Sequence, residues 1–294
     1  MPEPLPSLTA LYVALARGVA THESVLSRAC TDPFAHRLLP GSLGMFVRLA
    51  AASQAAARAL RYSSLGMFDH HAMRTALIDR MLHASIDRGA RQLVLLGAGL
   101  DTRAHRLPAL SDVVVFEIDQ ARTQSYKRER AERLPRRARE IHYASCDFQE
   151  TVFEDVLRDS RFTPEVPSCV IWEGVTMYLD EHAIESSLAA LSKLCAPNST
   201  LILTYAARTV GSPGAKSWAP LRALLASIGE PIRFTCTPDE MAERLRRHGF
   251  RVLADIQPMS QTTDFGLQPL ALPLRNPLER ERLVVAHRRA EQLP

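Results

Sequence analysis

The chain has 294 residues, 46% of them hydrophobic and 23% charged, a balance that excludes wholesale disorder and suffices for a core without staples. Its 36 basic and 32 acidic residues leave a formal charge of +4, too small and too dispersed to imply a nucleic-acid partner. No apolar run approaches the roughly 20 residues of a bilayer span, and residues 1–6, with prolines and Glu3, lack the basic start and apolar stretch of a secretory leader. Cys30, Cys146, Cys169, Cys195 and Cys236 are odd in number, with no C-x-x-C spacing. They argue against a disulfide framework and a structural zinc site, and for a reduced, cytoplasmic home.

Residues 8–20 show helical spacing. Residues 43–60, after the breakers Pro40 and Gly41, read as one alanine-rich helix, and 72–88 carry Leu77, Met81, Leu82 and Ile86 along one side until Gly89 stops the helix. No strand is expected before residue 90. Beyond it, short apolar runs at 93–96, 113–118, 141–145, 169–172, 201–205, 251–256 and 283–286 alternate with helix patterns at 120–133, 181–194 and 239–248. Thr237 is the expected cap of the last helix, ahead of Pro238. The densest basic stretch, 122–139, is broken by Glu129 and Glu132 and reads as a solvated helix face. Cys169 and Cys195 read as small buried hydrophobes. Residues 258–278 read as an irregular segment passing over one end of the sheet. Apolar strands separated by helices predict a mostly parallel sheet covered on both faces.

The first strand runs directly into Gly97-Ala98-Gly99, a turn in which missing side chains let a ligand approach the backbone. The second strand ends Phe116-Glu117-Ile118-Asp119, with Glu117 twenty positions after Gly97. Side chains alternate along a strand, so Glu117 and Asp119 share one side, and either acid can accept the hydroxyls of a ribose. Thr102 replaces the third glycine of a dinucleotide fingerprint, and no GK[ST] loop is present. A cofactor with adenosine and no phosphate fits better, and S-adenosylmethionine answers that description. Asp147-Phe148 after the third strand suits the adenine. Glu173, between Trp172 and Gly174 at the end of the fourth strand, suits the ammonium or sulfonium end.

The strings Leu95-Leu96-Gly97-Ala98-Gly99-Leu100-Asp101-Thr102-Arg103, Phe116-Glu117-Ile118-Asp119 and Trp172-Glu173-Gly174-Val175-Thr176-Met177-Tyr178-Leu179 resemble the leucine carboxyl methyltransferase family, in particular its bacterial S-adenosylmethionine-dependent branch, several members of which serve secondary metabolism. Asp32-Pro33-Phe34-Ala35 and Ala72-Met73-Arg74-Thr75 extend the resemblance, which spans roughly residues 30–255. It implies a class I, Rossmann-like methyltransferase: an α/β fold with a seven-stranded, mostly parallel sheet and an N-terminal helical lid. The lid would take residues 1–89 and the cofactor-binding core 90–294, with substrate-shaping segments around 206–235 and 258–278. It also implies that Arg74 grips the cofactor carboxylate. Gly97, Ala98, Gly99 and Asp101 would form the cofactor loop, Glu117 and Asp119 hold the ribose, Asp147 and Phe148 the adenine, and Glu173 the methionine portion. Cys146 before Asp147, and Phe148 in place of the more usual leucine, depart from the family pattern.

The resemblance thus implies methyl transfer from S-adenosylmethionine, with no metal, to a small-molecule carboxylate or hydroxyl. Carboxyl methylation of a protein C-terminus and a noncatalytic cofactor-binding protein are the alternatives; a nicotinamide oxidoreductase is more distant. A carboxylate is ionised at neutral pH and needs no base, whereas a hydroxyl benefits from one. His70, His71 and His182 are the candidates, and Tyr178 and Tyr205 are candidates to orient an acceptor. The adjacent His70-His71 pair does not suit a metal spacing.

Overall fold

The structure, a computed structural model, describes residues 6–150, 153–208, 223, 225–227, 229–267 and 280–289. Its strands are β1 (Gln92–Leu96), β2 (Val114–Asp119), β3 (Glu140–Ser145), β4 (Ser168–Trp172), β5 (Thr200–Ala206), β6 (Phe250–Ile256) and β7 (Glu281–Arg288). They form one sheet in the order β3-β2-β1-β4-β5-β7-β6. β1 to β5 are parallel, and β7 runs antiparallel between β5 and β6. The chain leaves β1 towards β2 and β3, then returns to place β4 on β1's other side. The strand order therefore reverses between β1 and β4, which opens a crevice at their carboxyl ends.

All seven expected strands are present; the central β1, β4 and β5 are buried throughout, while the edge strands β3 and β6 are partly exposed. Leu93 and Leu95 of β1 pack with Leu77, Ile78 and Leu82 of the Met67–Asp87 helix. Val94 and Leu96 face the other way and pack with Leu188 and Leu191 of the Glu181–Leu194 helix. A strand covered on both sides carries no polar face and reads as an unbroken apolar run. Thr237 caps the Pro238–Arg247 helix in a reciprocal box with Glu240. All five cysteines are buried, and none is bridged by a disulfide among the described residues.

The helical third departs from expectation in two places. The single helix expected over 43–60 is two, Gly41–Ala52 and Gln54–Ser63. Ser53 between them is extended (φ −151°, ψ 122°), and its hydroxyl accepts from Ala56 N at 3.3 Å. A serine offers the backbone a cap in place of a continuing turn, and the alanines on both sides conceal the break. The helix expected from residue 72 begins at Met67, after Gly66 in the left-handed region. Its first turns bury His70, His71 and Arg74, so polar residues occupy the face where apolar ones were sought.

The basic stretch also departs from a purely solvated face. Lys127, on the Ala121–Ala131 helix, is 1% exposed and pairs with Glu117 at 2.5 Å. The Met67–Asp87 helix joins the N-terminal helices to the sheet. Phe68, Ala72 and Met73 pack with Leu11 and Val19 of the Leu8–His22 helix, while its later turns pack on β1. Within the 258–278 segment, Pro258–Phe265 is a 3-10 helix whose Phe265 packs with both clusters, and residues 268–279 lie outside the described residues. Of the 206–235 segment, 209–222, 224 and 228 also lie outside them.

Candidate active site

The turn after β1 is shaped by two close approaches. Gly97 has φ +69°, and a Cβ there would stand 2.2 Å from Val175 Cγ2. Only glycine fits. Gly97 N and Ala98 N both donate to Ile118 O, at 2.8 and 3.0 Å, which closes the turn onto β2. Gly99, φ +49°, donates its N–H to Asp119 Oδ2 at 2.5 Å, and Gln120 N donates to Asp119 Oδ1 at 2.7 Å. Burial pushes the Asp119 carboxyl up from its ordinary value, against the pull of these two amides.

The two acids of β2 therefore have different fates. Asp119 stands at the strand tip and lines a cavity of about 1070 Å³; Glu117 is not part of that lining. Two residues back along a strand is about 6.6 Å. That distance carries Glu117 into the interior, where it is 1% exposed and meets Lys127. Burial raises its pKa, and Lys127 offsets only part of the rise. The two acids expected to share one side are thus set apart, Asp119 on the cavity wall and Glu117 in the interior.

At the other end of the cavity charges are paired off. Arg74 donates from Nε to Glu173 Oε1 at 2.9 Å and from Nη1 to both oxygens of Glu281 at 2.9 Å. His70 Nε2 lies 2.5 Å from Glu281 Oε2. Arg103 donates to Glu173 Oε2 at 2.9 Å, to Asp79 Oδ1 at 2.7 Å and to Asp101. Burial alone would raise the acids Asp79, Asp101, Glu173 and Glu281; the surrounding cations, Arg103, Arg106 and Arg74 foremost, outweigh it and hold all four below the usual carboxylate range.

His71, one turn before Arg74, is 5% exposed and lines the cavity, with no hydrogen-bond partner for Nδ1 among the described residues. Its ring sits edge-on to Tyr12, 5.8 Å between centroids. Burial, then Arg74 and His70, hold its pKa well below the usual imidazole value, so the ring is neutral.

The cavity lining includes Arg74, Gly97, Ala98, Gly99, Asp101, Asp119, Asp147, Phe148 and Glu173. Asp101 turns its carboxylate to Arg103, accepting from that residue's backbone N at 2.6 Å. Asp147 is half-buried, with Oδ1 accepting from Gln149 N at 3.0 Å, and Phe148 packs edge-on to Phe153. Of the residues considered for the acceptor, His71 and Tyr178 line the cavity. His70 is buried against Glu281, and His182 is exposed on its helix. Tyr205 is buried in β5 with its hydroxyl donating to Asp255 at 2.7 Å.

Among the lining residues that went unnoticed in the sequence are Arg17, Glu230 and Glu281. Arg17 clamps the Leu8–His22 helix over the glycine turn, through Asp32 at 2.9 Å and Leu100 O at 2.6 Å. Ser7 fastens the same helix to Glu230 at 2.7 Å. Arg103, outside the lining, stood within the motif run and was read there only as part of the string. Glu281 follows an irregular stretch and belongs to no local motif, so nothing near it in the chain marks it.

Among the described residues no cluster of His, Cys, Asp or Glu is arranged to hold a metal, and no helix is long and apolar enough to cross a membrane. A crystal structure from Thermobifida fusca YX, described as a "putative methyltransferase", superposes over 98% of this chain and 97% of that one with a TM-score of 0.59 at 17% identity, a likeness of fold. A Mycobacteroides abscessus protein named "Putative S-adenosyl-L-methionine-dependent methyltransferase" is 33% identical over 196 residues, 65% of this chain and 63% of its own length. One of the same name from Mycobacterium tuberculosis H37Rv is 33% identical over 202 residues. That match covers 64% of this chain and 56% of the relative, so the chain spans little more than half to under two thirds of these curated relatives. The model of leucine carboxyl methyltransferases matches residues 10–192, from the roof helix through the glycine turn to the helix after β4, and the chain belongs to that family.

Proposed function

We propose that the chain is a methyltransferase that binds S-adenosylmethionine in the cavity over β1 and β4 and passes its methyl group to an acceptor oxygen. One observation carries this reading. A glycine turn with an acid at the next strand tip, and an arginine with an unengaged donor, Nη2, wall the same cavity at the strand-order reversal.

The residues fit the cofactor. Asp119 keeps lone pairs beyond its two amide contacts for the ribose hydroxyls. Asp147 and Phe148 take the adenine, and Arg74 and Glu173 take the amino-acid end. Glu117 acts instead through Lys127 as interior support. When bound, the cofactor supplies a methyl group already activated on a sulfonium. What remains for the protein is to position the acceptor and exclude water, and the Leu8–His22 helix, clamped by Arg17 and Ser7, provides the cover. The boundary near residue 89 separates the lid from the sheet, with the Met67–Asp87 helix shared between them.

The family's description supports a carboxyl oxygen as acceptor, and with it a protein C-terminus ahead of a small molecule. A second reading, transfer to a hydroxyl, rests on His71: a neutral imidazole in the cavity wall, its Nδ1 without a partner among the described residues, can accept a hydroxyl proton, which a carboxylate acceptor does not carry.

Titration calorimetry with S-adenosylhomocysteine, S-adenosylmethionine and NAD tests the cofactor; binding of NAD alone would overturn it. Labelled methyl transfer into cell extract then separates the acceptors. Alkali-labile label on protein supports the C-terminal carboxyl, alkali-labile label on small molecules a small carboxylate, and alkali-stable label on small molecules the hydroxyl.

A further inference from the structure

The family model ends at residue 192, well before β7, yet the first residue of β7 stands in the cavity wall. Glu281 is 1% exposed, enters from the antiparallel strand and faces Arg74 and His70. Three contacts engage its carboxylate: Arg74 Nη1 on each oxygen and His70 Nε2 on Oε2. A carboxylate has about four acceptor positions, so one remains. Glu173 uses one position on each oxygen, for Arg74 Nε and Arg103 Nη1.

The charge balance points the same way. Counting arginines and carboxylates alone, Arg74, Arg103 and Arg106 stand against Asp79, Asp101, Glu173 and Glu281, three positive against four negative. His70, 2.5 Å from Glu281, balances the count only when protonated; with His70 neutral, an excess of one negative charge remains, which is costly unless a cation joins it. Beside it Arg74, 5% exposed, holds Nη2 in the wall without a hydrogen bond among the described residues, and His71 Nδ1 has no partner among them either. An acidic pair next to an open guanidinium donor is complementary to a zwitterion, ammonium and carboxylate on one carbon.

Resting on the cofactor reading above, we propose that Glu281 is a cofactor-binding residue: with Glu173 it accepts the α-ammonium of the amino-acid end, while Arg74 Nη2 takes the carboxylate. The last strand in the chain thereby adds a ligand to a site built from the first four. Had Glu281 served only to hold Arg74, its loss would weaken every ligand that carries the carboxylate, with or without the amine.

Calorimetry on the full chain makes that distinction, with S-adenosylhomocysteine and its analogue lacking only the α-amino group as probes. The wild type should prefer the natural compound by about tenfold or more, and Glu281→Gln should remove most of that preference, as loss of a charged hydrogen bond does. Equal weakening of both probes, or no weakening, would overturn the proposal while leaving the cofactor reading intact. Failure of the wild type to bind S-adenosylhomocysteine would overturn both. If Glu281→Gln does not unfold cooperatively, Glu281→Asp decides. It keeps the charge but withdraws it by a methylene, and should weaken the natural compound several-fold more than the amine-free one; parity would overturn the proposal.

Discussion

The two ends of the cavity are built on opposite electrostatic plans. Around Arg74 and Arg103 four carboxylates are buried against guanidinium groups and held below their ordinary range. Around the glycine turn the buried Glu117 and half-buried Asp119 have weaker support, a lysine for one and two amides for the other, and both are pushed up. A dense ion-pair network fixes geometry and resists rearrangement. An acid held by backbone amides alone keeps its remaining lone pairs free for a neutral sugar. The first arrangement suits a charged amino-acid group and the second a pair of hydroxyls.

Removing the hub of the network should have the largest effect. Arg103→Ala leaves Asp79, Asp101 and Glu173 without their shared partner and should cost about 3–5 kcal/mol of stability in urea unfolding. A cost under 1 kcal/mol or so would mean that the network does not stabilise the fold. Arg74→Ala should weaken S-adenosylhomocysteine by roughly 1.5–3 kcal/mol in calorimetry, and 5′-methylthioadenosine, which has no amino-acid end, far less. Equal effects on the two ligands would erase the distinction between the ends.

Asp119→Ala should weaken both of those ligands alike, by about tenfold, because both carry the ribose. Glu117→Gln should destabilise the chain by stranding Lys127 yet leave either affinity within about threefold. If Glu117→Gln harms binding as Asp119→Ala does, the separation of the two acids is wrong.

The smallest effect is on pH dependence. A carboxylate depressed in the fold contributes stability that is present above its unfolded value of about 4 and is lost as pH falls below it. A raised carboxylate contributes below that value and loses the contribution as pH rises through its raised one. The four depressed acids predict stability rising with pH up to about 4 in urea titrations, and the two raised ones a decline only above that value. A flat or falling trend would contradict the assignment.

The central strands were legible because burial on both faces leaves an apolar run that needs no periodicity to be seen. The glycine turn was legible because Gly97 and Gly99 lie in one short stretch with Asp101, and Asp119 follows at the next strand tip. Where helices were misjudged, the cause was local. Ser53 was hidden among alanines, and the first turns of the Met67–Asp87 helix bury His70, His71 and Arg74 where apolar residues were expected. Arg74 itself was reached through family resemblance, since a lone arginine in a helical pattern carries no local signal.

The amino-acid sequence by itself determined the parallel sheet, the turn after β1 and the acid that faces it, for these depend on residues close in the chain and on the polarity of single segments. Tertiary structure alone decided which of two acids two residues apart enters the cavity, and that Glu281, 207 positions from Arg74, shares its guanidinium with Glu173. Strand alternation fixes only the side on which a residue lies. How deep it sits, and which charge from a distant strand meets it there, follow from how the sheet, its helices and the roof pack together.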